Sequence, residues 1–288
     1  MSIGAKLMLT FFKSLPLNAI EPIAKFTKEI AYPLLQQRRK IAMANLNLAF
    51  NDQISILQKH KILKQNLNFF GRGILELGKS LYLPPEDILE KFIFYGEEYL
   101  KKAAAKGKGI IAISAHMGNF PLLCIALCLK GYKTATIAKL PRIKALTEVI
   151  KAYTDKIGIK FISPTNGKRA AFESLQHLKK GGLLFLQLDQ NAPKHRAMIS
   201  FFGYTVPMPR SPVLLAQKTG ATILPIFTIY EPYLRHKVFI EPPVELEGNL
   251  EKDLTYLMQI VETYVRHYPE QWWWWHRRWK EHIDYENL

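Results

Sequence analysis

One histidine follows directly on an apolar, β-branched run and precedes a second apolar pattern. His116 comes after the run over 109–114, and Gly118 and Asn119 lead into apolar residues over 120–129. The first run predicts a buried strand and the second a helix, so His116 lies in a strand-to-helix turn. Open α/β sheets bind ligands at the carboxyl ends of their strands. His116 is therefore a candidate general base, able to take a proton from a hydroxyl or a thiol.

Position alone leaves a second interpretation of this histidine open. Most loop residues do no chemistry, and a loop histidine commonly hydrogen-bonds a nearby carbonyl. Asn119 can cap the predicted helix, and Pro121 fits its first turn, where no N–H partner is needed. Asp189 ends another predicted strand, over 183–188. It supplies either a carboxylate that orients His116 or a cap for backbone N–H groups.

Several well-known catalytic patterns are missing from the sequence. It has no G-x-S-x-G elbow, no glycine fingerprint after its first predicted strand and no H-E-x-x-H zinc helix. A histidine oriented by a carboxylate can still deprotonate an alcohol while backbone N–H groups hold the developing oxyanion. This is the chemistry of direct acyl transfer from a thioester to a hydroxyl, and it requires no amino-acid nucleophile.

The stretch from Gly73 to Ser80 satisfies the phosphate-loop pattern G-x-x-x-x-G-K-S. That motif needs a preceding strand and a loop whose N–H groups face phosphate. Here the residues continue an apolar stripe that predicts one helix over 54–81. We therefore reject the match as chance. Glu76, in the same helix, is either a surface charge or a contact of the site.

Strands and helices alternate after Pro84 and Pro85. Beyond those already named, we predict strands over 133–138, 159–162, 221–229 and 236–241, and helices over 142–156, 168–179, 211–219 and 250–267. Such alternation indicates an α/β fold with a mostly parallel sheet flanked by helices. We predict an N-terminal helical, membrane-associating region over 1–85 and an α/β domain over 86–288, in one continuous fold.

The chain is strongly basic, with a formal net charge of +16 over 288 residues. This favours an anionic partner such as a membrane surface, a phosphorylated substrate or an acidic protein, although a basic surface kept for solubility has the same signature. Nucleic acid is not expected, because no recognition motif is visible. Cys124 and Cys128 lie on one face of a predicted helix and fit small core residues in a reducing compartment.

The first 35 residues are apolar but contain several charges, so no stretch of about 18 uncharged apolar residues can cross a membrane. Apolar residues recur at helical spacing from Ile20 to Leu34, and a basic cluster over 37–40 follows. An apolar face with a basic flank is typical of a helix that lies in a membrane interface. The alternative is a helix that packs on its own domain.

Four consecutive tryptophans, 272–275, lie near the end of the chain among arginines and lysines. Four consecutive rings cannot all face one core, and tryptophan beside basic residues suits a membrane–water boundary. We expect Trp272, Trp274 or their neighbours to pack into the domain and the rest to lie near lipid.

Several separate blocks resemble the bacterial lipid A biosynthesis acyltransferase family, the late lauroyl and myristoyl enzymes, over nearly the whole chain. The blocks are 44–50, Glu76, 116–120, 188–190, 201–203, 209–216, 218–221 and 269–280. The resemblance implies an O-acyltransferase acting on a lipid A precursor or related glycolipid. It also implies an acyl carrier protein or coenzyme A thioester as co-substrate, no bound cofactor or metal, and a peripheral place on the cytoplasmic face of the inner membrane.

By this resemblance His116 is the general base, but the chain departs from the family signature at the acid. The signature places Asp or Glu after four intervening residues, where this chain has Pro121. A backbone carbonyl or another acid must then orient the ring, and Asp189 is our candidate. The same departure leaves open a weak or inactive lipid-binding homologue.

The resemblance also leads us to expect substrate-binding residues around His116. These are Gly118, Asn119, Glu76, Arg142, Arg196 and Arg210, with Lys139, Arg169 and Lys194 as further phosphate or carrier contacts. For each basic residue the alternative is a solvated surface charge.

Overall fold

A computed structural model describes residues 1–191 and 196–288, except for the side chain of Tyr153. Four helices come first: α1 (Ile3–Ser14), α2 (Leu17–Leu34), α3 (Gln36–Phe50) and α4 (Ile56–Ser80). A capping box begins α4, because the Ser55 hydroxyl accepts from the Gln58 N–H while the Gln58 side chain accepts from the Ser55 N–H. The phosphate-loop match therefore lies inside a helix, as predicted.

Packing explains both glycines of that match. A Cβ on Gly78 would lie 2.3 Å from the ring of Phe12 in α1, and a Cβ on Gly73 would lie 2.3 Å from the hydroxyl of Tyr230. Each glycine thus lets another element approach α4 closely.

The rest of the chain alternates between strands and helices. The strands are β1 (Phe92–Tyr95), β2 (Ile110–Ser114), β3 (Thr134–Ile137), β4 (Lys160–Ile162), β5 (Leu183–Gln187), β6 (Arg196–Phe201), β7 (Tyr204–Pro209), β8 (Thr222–Glu231) and β9 (Arg235–Ile240). The helices are α5 (Pro85–Leu89), α6 (Glu97–Ala105), α7 (Phe120–Leu129), α8 (Lys144–Ile157), α9 (Gly167–Lys179), α10 (Ser211–Thr219) and α11 (Leu250–His267).

Seven strands form one sheet in the order β1-β9-β8-β2-β5-β3-β4. Every neighbouring pair is parallel except β8 and β9, which are antiparallel. All five residues of the central strand β2 are buried, because helices cover both faces of the sheet. The predicted α/β class with a mostly parallel sheet is confirmed.

The sequence analysis missed three strands. These are β1 and the two strands of the β6–β7 hairpin, for which no strand was predicted. Phe202 and Gly203 form the hairpin turn with φ values of 55° and 79°, the left-handed pair that a two-residue turn needs. Pro207 and Pro209 concealed β7, since proline occurs only in edge strands.

The N-terminal helices bury one face and expose the other. Phe12 and Ile20 are buried, so these helices do pack on their own domain, whereas the apolar side chains of Phe26, Ile30 and Leu34 are exposed. In the part of the chain that the structure describes, no helix is long and apolar enough to cross a bilayer. A membrane-facing role for the exposed face stays a prediction.

The tryptophan-rich segment is mostly internal. Burial of Trp272 and Trp274 is confirmed, but the expectation that the remaining rings lie near lipid is wrong for Trp275, which is buried and donates to the Asn66 side chain. Trp273 is partly buried and its ring centroid lies 4.0 Å from that of Phe70. The backbone here is neither helix nor strand, so its turns direct consecutive rings into different crevices.

Candidate active site

The structure brings His116 and Asp189 together at the carboxyl edge of the sheet. Ser114 and Gln187 are paired in the β2–β5 register, so the residues that follow the two strand ends are neighbours. The Nδ1 atom of His116 lies 2.9 Å from Oδ1 of Asp189, and the His116 backbone N–H donates to Oδ2 at 3.0 Å. Asp189 is fully buried, whereas 24% of the His116 side chain is exposed.

The carboxylate of Asp189 has further support from the end of the chain. The indole Nε1 of Trp272 donates to Oδ2 of Asp189 at 2.7 Å. Burial alone would raise the pKa of Asp189, but the adjacent His116 and its hydrogen bonds outweigh burial and hold that pKa well below its usual range. Asp189 is therefore ionised at neutral pH.

The charge of Asp189 fixes which nitrogen of His116 can act as a base. An ionised carboxylate only accepts hydrogen bonds, so the neutral ring carries its proton on Nδ1. The lone pair then resides on Nε2, which forms no hydrogen bond with any residue in 1–191 or 196–288. The geometry therefore leaves Nε2 free to accept a proton.

Backbone contacts with the C-terminal segment fix the turn that carries His116. Trp273 donates its N–H to the His116 carbonyl at 2.9 Å, and Gly118 donates to the Gln271 carbonyl at 3.1 Å. The N–H of Met117 bonds the Ala115 carbonyl at 2.8 Å. The N–H groups of residues 116–118 are thus already bonded within the protein, so the oxyanion donors expected from the sequence are not these three.

The structure places Gly118 and Asn119 in the frame of this turn. Gly118 has a φ of 53°, and a Cβ there would lie 2.0 Å from the carbonyl oxygen of Thr228. The Asn119 side chain accepts from the Leu122 N–H at 3.3 Å, which caps α7 as predicted. Both residues therefore shape the turn, and their predicted contact with substrate stays a prediction.

Glu76 belongs to a buried polar network behind the turn. Its carboxylate accepts from the Asn119 amide at 2.9 Å, pairs with Arg72 at 3.0 Å and lies 3.2 Å from Nε2 of His236. Burial alone would raise the pKa of Glu76, but His236, Arg72 and Asn119 together lower it. Glu76 is thus not a surface charge; it touches the His116 turn through Asn119.

The predicted arginines do not converge on His116. Arg142 is exposed before α8, Arg196 is exposed at the start of β6, and Arg210 is partly exposed before α10. The register pairs Arg196 with Pro209, so Arg196 and Arg210 lie close together. Within the described residues no hydrogen bond or ion pair joins these arginines to the His116–Asp189 pair.

The three further basic candidates have different surroundings. Lys139 is exposed after β3, two strands from β2 at the same sheet edge. Arg169 is paired with Glu173 at 2.7 Å on the surface of α9. Lys194 lies outside the described residues.

Sequence reasoning missed three residues near Asp189: Trp272, His276 and Arg278. Burial lowers the pKa of His276 to about 4, although Asp189 raises it in part. Arg278 is fully buried and binds the Asn191 side chain and the Pro207 carbonyl, which ties the loop after Asp189 to the hairpin. The sequence carried a partial signal, because a buried indole or guanidinium needs an acceptor and so predicts a polar neighbour, but it does not identify that neighbour.

Among residues 1–191 and 196–288, no group of three or more His, Cys, Asp or Glu side chains is placed to hold a metal ion.

Comparisons with known proteins match most of the chain to one family of acyltransferases. The profile of the family described as bacterial lipid A biosynthesis acyltransferase matches residues 2–281. The chain is 26% identical to the lipid A biosynthesis palmitoleoyltransferase of Escherichia coli over 257 residues, which is 87% of this chain and 81% of that protein. It is 22% identical to the lauroyltransferase of the same organism over 258 residues, 88% of this chain and 82% of that protein.

A second group of relatives matches a shorter region. The phosphatidylinositol mannoside acyltransferase of Mycobacterium tuberculosis is 26% identical over 137 residues, 47% of this chain and 43% of that protein. Because the family profile covers nearly the whole sequence, the chain belongs to the bacterial lipid A biosynthesis acyltransferase family and is an acyltransferase.

Proposed function

We propose that this protein moves a fatty acyl group from an acyl thioester to a hydroxyl of a lipid A precursor or a related glycolipid. The observation that carries the proposal is the His116–Asp189 pair, with Nδ1 bonded to a buried carboxylate at 2.9 Å and the ring partly exposed. Relatives named for lipid A biosynthesis and for phosphatidylinositol mannoside support a glycolipid acceptor.

The reaction follows from this geometry. Nε2 of His116 takes the proton of the acceptor hydroxyl while the oxygen of that hydroxyl forms a bond to the thioester carbonyl carbon. The tetrahedral intermediate collapses, the C–S bond breaks, and the imidazolium returns its proton to the departing thiolate. Asp189 holds the ring in the required tautomer and stabilises its positive charge during the step.

Pro121, at the position of the family acid, does not remove the acid function in this proposal. Asp189 supplies the carboxylate from the next strand, and Trp272 holds it in place. This supports an active enzyme over the alternative, a weak or inactive lipid-binding homologue.

We further propose that the protein works as a peripheral protein at the cytoplasmic face of the inner membrane. The exposed apolar residues of α1 and α2 and the net charge of +16 support a position at an anionic lipid surface. The donor is acyl carrier protein, which is acidic, or coenzyme A, which carries phosphates; the positive charge suits either.

The experiment supplies a labelled acyl thioester and a lipid A precursor to the purified protein and identifies the product by mass spectrometry. Acyl carrier protein and coenzyme A thioesters are offered in separate reactions. We expect an ester-linked acyl chain on the acceptor from the wild type and none from His116→Ala. Specific lipid binding without product would favour the inactive homologue and overturn the proposal.

A further inference from the structure

A cleft of about 900 Å³ lies between α2, α4 and the turn that joins β8 to β9. Its lining includes Arg72 and Tyr230 but neither His116 nor Asp189. Arg72 is nevertheless linked to the His116 turn, because Glu76 binds both Arg72 and Asn119. Buried contacts of Arg72, Glu76 and Asn119 therefore link the cleft to the turn that carries His116.

Positive charge predominates in this cleft. Four cationic side chains line it, against the two carboxylates of Glu21 and Glu231; the four are Lys25, Lys28, Arg72 and Lys91. Glu231 is paired with Lys237 at 3.0 Å, and Glu21 lies 3.7 Å from both Arg72 and Lys25. Lys28 is paired with the adjacent Glu29 at 2.9 Å. Lys91 has no ion-pair partner within the described residues, so the cleft presents an uncompensated cation.

Side-chain contacts build the buried wall of the cleft. Phe69 stacks on Tyr230 with ring centroids 5.0 Å apart, and the guanidinium of Arg72 lies 4.6 Å from the centroid of the Tyr230 ring. Arg72 also donates to the Glu231 carbonyl at 2.9 Å. Because Arg72 is also paired with Glu76 and only 4% of its side chain is exposed, these contacts shape the wall of the cleft and do not add a free charge to it.

The rim combines charge with exposed apolar groups. Tyr233 is 94% exposed and has a left-handed φ of 59°, a costly backbone state for a bulky residue. On α2, Lys25 and Lys28 of the cleft alternate with the exposed Phe26 and Ile30. Basic side chains beside an apolar face occupy the head-group level of a membrane.

From these contacts we infer that the cleft binds the phosphorylated head group of a membrane lipid. A phosphate is the anion that a lysine-lined cleft beside a membrane meets. Lys91 supplies the unpaired charge for it, and the paired Lys25 and Lys28 add positive charge around it. The inference rests on the proposed function, which supplies such a lipid as the acceptor. A bulk anionic phospholipid carries the same chemistry, and the experiment separates the two sources.

The test measures flotation of the full chain with neutral phosphatidylcholine vesicles that contain a lipid A precursor, its dephosphorylated form or phosphatidylglycerol. The variant carries Lys25→Gln, Lys28→Gln and Lys91→Gln. The matched control removes the same charge at the opposite edge of the sheet, with Lys102→Gln, Lys106→Gln and Lys180→Gln, all exposed. We expect the cleft variant to bind about tenfold more weakly or worse, and the control to bind nearly as the wild type.

The pattern of vesicle binding identifies the ligand of the cleft or overturns the inference. Preference for the phosphorylated precursor supports an acceptor site, and equal binding to phosphatidylglycerol supports a phospholipid site. Equal losses in the cleft variant and the control, or no dependence on phosphate, would overturn the inference. Vesicle binding does not require acyl transfer, so His116→Ala should bind vesicles as the wild type does. If the wild type transfers no acyl chain, the proposed function is refuted, but the vesicle result for the cleft is unchanged.

Discussion

Two buried ionisable residues near His116 differ in their charge at neutral pH. Asp189 stays ionised because its pKa lies well below the usual range, while His276 stays neutral because burial lowers its pKa to about 4. The Nδ1 atom of His276 bonds the Trp273 carbonyl at 2.9 Å. A single negative charge thus faces His116, with no competing cation from His276 at neutral pH.

This state of His276 predicts a pH dependence of stability. Its pKa is about 4 in the folded chain and about 6.5 in the unfolded chain, so between these values the unfolded chain binds more protons. Stability therefore falls as the pH drops from about 6.5 to about 4, by up to about 3 kcal/mol from this residue alone. We expect His276→Gln to flatten that slope in urea unfolding measured at several pH values.

The exposed His267 provides the control for this measurement. His267→Gln should leave the slope as in the wild type. An unchanged slope in His276→Gln would contradict the assignment of a buried neutral ring.

Gly118 gives a second prediction for a single residue. An Ala side chain there would meet the Thr228 carbonyl at 2.0 Å, whereas at Gly131, also at positive φ, nothing lies within 4 Å of a Cβ. Gly131→Ala therefore costs only the backbone strain, about 1 kcal/mol. We expect Gly118→Ala to lower the free energy of unfolding by about 2 kcal/mol more than Gly131→Ala, and to abolish acyl transfer. Equal losses of stability in Gly118→Ala and Gly131→Ala would contradict the prediction and show that the turn shifts to make room for the added Cβ.

Among the elements, the irregular C-terminal segment positions the turn that carries His116 as much as the strands do. Gln271 and Trp273 bond the backbone of residues 116–118, and the indole of Trp272 bonds Asp189. The strands bring His116 and Asp189 to one edge, and this segment then fixes their orientation.

Trp272→Phe tests that role, since it keeps an aromatic ring but removes the donor to Asp189. We expect acyl transfer to fall about tenfold and the free energy of unfolding to fall by about 1–3 kcal/mol, because the buried carboxylate loses one of its three hydrogen bonds. Trp274→Phe is the matched control, because its Nε1 donates to the Pro269 carbonyl rather than to the site. The control should lose stability and keep its rate; equal loss of rate in both variants would refute the positioning role.

The elements that sequence could predict are those with local signals. The apolar run of β2, the Asn119 cap and Pro121 of α7 are contiguous in sequence, so both elements were found to within one residue. The carboxyl ends of parallel strands share an edge, which is why His116 and Asp189 could be paired before the structure was known. The donor from Trp272 could not be predicted, because it depends on how the end of the chain folds back across the sheet.

On the scale of the whole molecule, an exposed apolar face and a basic surface coexist. Phe26 and Ile30 are 67% and 48% exposed on α2. We expect Phe26→Ser with Ile30→Ser to weaken binding to anionic phospholipid vesicles about tenfold, because apolar area that would enter the lipid is removed. Sedimentation with vesicles measures this, and the thermal midpoint should change little since both residues are exposed.

Two residues elsewhere provide the matched control for this surface. Phe172 and Tyr256 are 63% and 53% exposed, on α9 and α11. Phe172→Ser with Tyr256→Ser should bind vesicles as the wild type does. Equal losses in both pairs would show that the face of α2 has no special part in membrane binding.

The central claim, that His116 and Asp189 act together as one base, is tested most directly by kcat/KM for acyl transfer in a double-mutant cycle. We expect His116→Ala to lose about 1,000-fold or more and Asp189→Asn about 100-fold or more. The double variant should be no slower than His116→Ala alone, because Asp189 acts through the ring that is already missing. Losses that multiply in the double variant, or a His116→Ala protein that turns over at the wild-type rate, would contradict the account.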